Sequence, residues 1–302
     1  MGYEMKSGQD EHGQPASRED AAPAARGDDG IHRSTPAFSR QDLRRLTAAR
    51  IALGHTGISL PTGAHLDFQL AHARARDAVH HALDVERVRD DLQALPGLEV
   101  ICLRSRAETR ATYLRRPDLG RRLDDASREL LLASASVTAQ EENAPPDVLF
   151  VVADGLSSIA IERNAAPLLQ EVLPLLAGQG LRVGPLSLVQ HGRVAIGDEI
   201  AECLKAPLVV VLIGERPGLS APDSMGIYLT WHARVGTTDE ARNCISNVRP
   251  EGLPHPAAAR RLLYLIREAR ARRLSGVALK DESGMDDAPM LADGASGVLQ
   301  GG

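Results

Sequence analysis

Three short aliphatic runs set the terms for the fold. They are "DVLFVVA" (147–153), "LRVGPLSLV" (181–189) and "PLVVVLI" (207–213), separated by the helix-patterned segments "NAAPLLQEVLPLLA" and "AIGDEIAECL". Each run is short for a helix and lacks polar alternation, so both of its faces must be buried. Strands of this kind, spaced by crossover helices, build a parallel, doubly wound sheet of the α/β class. Ligands in such sheets gather beyond the carboxyl ends of the strands. That rule singles out Asp154, directly after the first run, and Glu215 in "IGERPG", after the third. A carboxylate delivered by an apolar strand at the point where the chain leaves the sheet is a candidate ligand contact. Its alternative role is to pair with Arg216 or to cap a neighbouring loop.

The chain before these runs reads differently. Residues 1–40 mix Gly, Pro, Ser and both charges with no apolar period, and cannot offset their own ordering entropy. They are expected to form a disordered tail. Helical spacing begins at "RQDLRRLTAARIAL", with Leu43, Leu46 and Ile51. After a break, Thr62 is placed to cap a helix through "GAHLDFQLAHARARDAVHHALD", whose Leu66, Leu70, Ala73 and Ala78 form an apolar stripe expected to pack inward. "VERVRDDLQAL" and "GRRLDDASRELLLASA" continue the helical pattern, with "YLRRPDLGRRL" as a basic turn between them. The expected division is thus a helical N-terminal region at 41–140 and a sheet-bearing domain at 141–276. A flexible, Gly- and Asp-rich tail follows at 277–302.

Composition narrows the partners. A formal net charge of -5 and a pI near 6.1 provide no field for phosphate backbones, and no basic run resembles a nucleic-acid or membrane patch. No stretch is apolar enough for a membrane span or a secretory leader, and three isolated cysteines suit neither a disulfide framework nor a Cys-x-x-Cys metal site. A cytoplasmic location is expected.

Local motifs supply no complete catalytic constellation. "ADGLSSI" has the strand–Ser–helix order of a nucleophile elbow, but Ile159 stands where Gly-x-Ser-x-Gly needs its second glycine, so Asp154 and Ser157 read as helix-capping groups. "GQGLRVG" (178–184) has dinucleotide-fingerprint letters in the wrong place, after a helix and before a strand. His65, His72, His80 and His81 lack the spacing of a metal site and read as a solvated or interface face. Cys244 in "NCISN" has no neighbouring His to activate it. The residues describe a ligand-binding α/β domain with a helical preface, in which no catalytic and no metal-ligating residue is identified; a subunit that helps another chain do chemistry is one form such a chain can take.

Six ordered segments carry a further signal. "ARIALGHTGISLPTGAHLDFQLAHARARDAVH", "YLRRPDLGRRL", "VVADGLSSIAI", "HGRVAIGDEIAE", "VVLIGERPGLSAPDS" and "NCISNVRPEGLPHPAAA" together resemble the small (light) subunit of ethanolamine ammonia-lyase, from Leu43 to about Gly276. The resemblance implies a Rossmann-like domain and an adenosylcobalamin-dependent conversion of ethanolamine to acetaldehyde and ammonia. It also implies a large TIM-barrel subunit that binds the ethanolamine, in a hetero-oligomer of six of each chain, with the coenzyme held between the two kinds of subunit. Radical chemistry begun by cobalt–carbon homolysis then belongs to the cofactor, and this chain forms one wall of its cleft. By the same resemblance the coenzyme contacts are Val194 in "GRVAI", Glu215 in "IGERPG" and Cys244 in "NCISN". The absence of Asp-x-His-x-x-Gly fits a coenzyme that keeps its own base on cobalt. Some members of the family work inside a bacterial microcompartment, although the N-terminus carries no clear targeting helix. The alternative readings are a stand-alone Rossmann-like cobalamin-binding module without lyase activity, and a hydrolase using Ser157. An uncovered apolar, His-bearing face on the helix from Thr62 to Asp84 would favour the subunit.

Overall fold

Six strands form one sheet: β1 (Val100–Arg104), β2 (Leu149–Ala153), β3 (Leu186–Gln190), β4 (Leu208–Gly214), β5 (Met225–Trp231) and β6 (Arg242–Val248), in the spatial order β1-β3-β2-β4-β5-β6. The computed structural model describes residues 53–140 and 145–283, together with 44, 47 and 49–51. The expected tail at 1–40, the residues Leu43 and Leu46, and residues 284–302 lie outside the described residues.

The three aliphatic runs become β2, β3 and β4, and these pair in parallel, with Val151 beside Ser187 on one side and Val211 on the other. All five residues of β2 are buried, which explains the missing alternation. Phe150 and Val152 face one core, with Leu168, Leu169 and Val172 of α5 (Ser158–Gly178) and Leu262 and Leu265 of α7 (His255–Arg272). Leu149, Val151 and Ala153 face the other, with Leu131 of α4 (Asp125–Gln140) and Ile196 and Ile200 of α6 (Ile196–Cys203). Helices therefore cover both faces.

Two features depart from the sequence expectation. The sheet is mixed and not wholly parallel, because β5 runs antiparallel to β4 and β6 antiparallel to β5. Short turns can join antiparallel neighbours, whereas each parallel pair needs a crossover. In addition, Val100–Arg104, within the stretch expected to be helical, forms β1 and pairs in parallel with β3 at the sheet edge. Residues 277–283 also differ from the expected loose tail where they are described. Leu279 is buried, and Asn243 Nδ2 donates to its carbonyl at 2.7 Å.

The helical segments bear on the site through their ends. Thr62 opens α1 (Thr62–His80) as its first residue, while Pro61 occupies the cap position, so the expected threonine cap does not form. Within α1, Ala78 is buried, but Leu66 and Leu70 are 57% and 52% exposed, against the expected inward stripe. The C-terminal end of α1 is hooked to the domain instead. His81 Nε2 lies 3.1 Å from Glu162 of α5, and Ser158 Oγ donates to the His81 carbonyl at 3.0 Å. Asp84 caps α2 (Val85–Gln93), accepting from Arg87 N–H at 3.2 Å. The basic stretch forms α3 (Arg110–Arg115) and a 3-10 turn at Leu119–Arg121. On the far side of the sheet a buried ion pair joins α6 to β6. Arg242 Nη1 and Nη2 reach Asp198 at 2.6 and 2.8 Å, with both side chains 2% exposed.

Candidate functional site

The loops at the carboxyl ends of β2, β3 and β4 meet around a cleft of about 380 Å³ lined by Tyr113, Gly155, Arg193, Val194, Glu215 and Tyr228, among others. Loops can converge there because two glycines let the backbones touch. A Cβ on Gly155, whose φ is 56°, would lie 2.2 Å from the Gly214 carbonyl, and one on Gly214 would lie 2.0 Å from that of Ser157. The Leu156 N–H donates to the Gly214 carbonyl at 2.9 Å and locks the two turns together.

Glu215 stands at the rim, half-buried. Its carboxylate accepts from Ser224 Oγ, from Ser246 Oγ at 2.7 Å and from Asn247 N–H at 3.3–3.4 Å. No ion pair with Arg216 forms among the described residues. A carboxylate offers roughly four acceptor directions. Three donors therefore fix its orientation and leave capacity for about one more. Of its two sequence-level roles, capping a neighbouring loop is realised, and the contact with a ligand stays open to it through the remaining direction.

Val194 lines the same cleft, at the entry to α6. Cys244 does not line it directly. It is the cross-strand partner of Tyr228, which does, and the two side chains are hydrogen-bonded. Burial of the thiol pushes its pKa up, the Tyr228 hydroxyl pulls it down, and the Glu215 carboxylate pushes it up again, for a net rise. A thiol held neutral is a contact group and a poor nucleophile. Burial likewise raises Tyr228, with the nearby Cys244 adding to the shift. The structure thus brings Val194 and Glu215 to one wall and places Cys244, an exposed residue, beside it through its pairing with Tyr228.

The floor of the cleft is a polar cluster of which the sequence singled out only Asp154. Tyr113 is fully buried, its hydroxyl donates to the Gly192 carbonyl at 3.2 Å, and burial raises its pKa. Two guanidinium groups pack on its ring, Arg193 at 4.1 Å and Arg110 at 5.0 Å from the centroid. Arg110 also donates to Asp154 at 3.3 Å, to the Gly155 carbonyl at 2.6 Å and to the Val79 carbonyl at the end of α1 at 2.9 Å. Asp154 is 2% exposed and accepts from the Gly192 N–H at 3.1 Å. Burial raises its pKa, against the lowering by Arg110 and His191. It braces the loop that carries Val194 and is not the helix cap expected of it. Ser157 is that cap, accepting from Ala160 N–H at 3.3 Å while its own hydroxyl donates to the Pro222 carbonyl at 2.7 Å. A fully buried serine with its proton committed is no nucleophile. The one signal for the missed cluster was the aromatic Tyr113 beside Arg115 and Arg116 in "YLRRPD", where an aromatic among basic residues can serve as a cation platform.

Residues 39–280 match the family described as "Ethanolamine ammonia-lyase light chain (EutC)". The chain belongs to the ethanolamine ammonia-lyase light-chain family. It is 56% identical over 243 residues to the ethanolamine ammonia-lyase small subunit of Azotobacter vinelandii, covering 80% of this chain and 88% of that one. The corresponding small subunit of Xanthomonas campestris is 52% identical over 262 residues, 85% and 93% of the two chains. That of Pseudomonas aeruginosa is 54% identical over 241 residues, 80% and 86%. A light chain of this lyase is a lyase-associated subunit and implies a large partner subunit. Among the described residues, no helix of this light chain is long and apolar enough to cross a membrane.

Proposed function

We propose that this chain is the small subunit of an adenosylcobalamin-dependent ethanolamine ammonia-lyase, which converts ethanolamine to acetaldehyde and ammonia. It forms one wall of the coenzyme site against a large TIM-barrel subunit that binds the ethanolamine. The sheet-bearing part, residues 141–276 with β1 added from residues 100–104, is the Rossmann-like coenzyme-binding unit. The observation that carries this reading is the shared wall of Val194 and Glu215, backed by Cys244 through Tyr228, at the carboxyl ends of the parallel strands. Glu215 is oriented by three internal donors and keeps an acceptor direction for a propionamide N–H of the corrin. Val194 offers an apolar contact, and the Cys244 thiol a neutral one.

The coenzyme, when bound, supplies the radical chemistry. The residues of this chain bind it, orient it and exclude water, and none moves a proton in the reaction. The cleft is too small to enclose a macrocycle by itself, which supports closure by a second chain. Among the described residues, Leu66 and Leu70 on one side of α1, Phe68 on another, and Ile58 and Leu60 in the preceding loop are exposed, and they offer an apolar surface for that partner. This surface weighs against a stand-alone cobalamin-binding module. A hetero-oligomer of six of each chain, in the cytoplasm or within a bacterial microcompartment, completes the proposal.

The test is reconstitution. Mixing the two purified subunits with coenzyme and ethanolamine should release acetaldehyde, and omitting either subunit or the coenzyme should abolish it. A chain that binds a corrinoid as a soluble monomer and ignores the large subunit would establish the stand-alone module instead.

A further inference from the structure

Among the described residues, the floor of the cleft holds a cation without a counter-ion. Arg193 is half-buried beside Val194, and its backbone N–H is tied to the Gly120 carbonyl at 2.7 Å. One face of its guanidinium is stacked on Tyr113 at 4.1 Å, and its Nη2 donates to the Tyr113 carbonyl at 3.2 Å. Among the described residues Nε is buried with no hydrogen-bond partner, Nη1 makes no hydrogen bond, and no carboxylate lies within salt-bridge distance. The carboxylates nearby are already engaged, Asp154 by Arg110 and Gly192, and Glu215 by Ser224, Ser246 and Asn247. Arg110 beneath adds a second guanidinium with a buried, unpartnered Nη2, and Arg216 adds an exposed cation to the same lining.

Leaving a partly buried guanidinium unpaired is unfavourable unless the bound state supplies an anion. Its planar fork of N–H donors matches the oxygens of a phosphate or a carboxylate. On the coenzyme reading above, the ligand carries one anionic group, the phosphodiester of its nucleotide loop, while the corrin side arms are neutral amides. We infer that Arg193, pre-positioned on Tyr113, is the phosphodiester-binding residue of this wall, and that it selects phosphate-bearing corrinoids over those that lack the phosphate. Stacking fixes the plane of the guanidinium before the ligand arrives, so little side-chain freedom is lost on binding. The tie to Gly120 also links the residue to the turn after α3. A Cβ on Gly120 would meet the Arg193 side chain at 2.9 Å, so that turn sets where the guanidinium can lie.

The experiment uses the complex of both subunits and titrates three probes by absorbance: cobalamin, cobinamide phosphate, and cobinamide, which has neither phosphate nor base. Arg193→Gln should weaken cobalamin and cobinamide phosphate by about tenfold to a hundredfold while cobinamide stays within about twofold, as expected for loss of one charge-assisted contact. Arg193→Lys keeps the charge without the fork and should lose severalfold for the two phosphate-bearing probes alone. This second variant decides the matter if the Gln variant does not assemble. An equal loss for all three probes would reduce Arg193 to a packing residue, and no loss for any would remove it from the site. Either result overturns the inference and leaves the coenzyme assignment standing. Failure of the wild-type complex to bind any of the probes would overturn both.

Discussion

At the residue scale, the candidate contacts differ in what their removal should do. Glu215 is held by donors on three sides, is half-buried, and makes no ion pair among the described residues. Glu215→Ala is expected to weaken coenzyme binding to the assembled enzyme by about 1–3 kcal/mol, through amide donors left without an acceptor. Coenzyme affinity equal to wild type in a spectroscopic titration would exclude it as a contact. Glu199 is the opposite case, a carboxylate outside the cleft lining that is tied into the fold by ion pairs. It accepts from Arg122 Nε at 3.0 Å and from the Leu123 N–H at 2.9 Å, with Arg128 at 3.7 Å. Burial works to raise its pKa, but these partners hold it below the ordinary glutamate value of 4.5. A carboxylate depressed in the folded state contributes stability that is complete above the unfolded value and is lost as pH falls through the folded one. Asp154 and Asp198 shift upward and act in the reverse sense, so the comparison has to be between wild type and variant. Urea midpoints measured between about pH 5 and pH 3 should fall less steeply for Glu199→Gln than for wild type. Identical slopes would show that the depressed value has no weight in folding.

At the scale of elements, legibility followed burial. Strands β2, β3 and β4 could be found because they are buried on both faces and therefore read as unbroken aliphatic runs. β1 was hidden because its residues alternate between buried and exposed and two charged helical segments flank it. β6 carries Arg, Asn, Cys and Ser, a poor strand composition. Its polar residues are there for reasons beyond the strand, since Arg242 meets Asp198, while Ser246 and Asn247 clamp Glu215. Asn247 has a φ of 60°, next to a register shift between β5 and β6, and no local pattern in the sequence encodes such a bulge. Of the positions expected at the site, Val194 and Glu215 line one cleft, while of its floor only Asp154 was legible, as a residue at a strand end. Tyr113, Arg110 and Asp154 come from three elements and meet only through tertiary packing. Helix α1 was legible as a helix and misread in direction. Its apolar stripe satisfies helical spacing, and spacing alone cannot say whether the surface it covers belongs to the same chain. Leu66→Asp with Leu70→Asp should change the stability of the isolated chain by less than about 0.5 kcal/mol per site, as for other exposed positions. The same change should sharply reduce co-purification with the large subunit. Undiminished co-purification would move the contact elsewhere.

For the molecule as a whole, the site is divided between early and late parts of the chain. Glu215 follows β4, but the donors that orient its carboxylate lie at the start of β5 and near the end of β6, some thirty residues further on for Ser246 and Asn247. A nascent polypeptide that has released β4 from the ribosome already possesses the acidic group and the parallel strands, yet it has nothing to aim that group. Competence to receive a ligand therefore arrives late in synthesis, once the antiparallel pair has been added to the sheet beside β4, and a prematurely terminated product would carry the residue without the function.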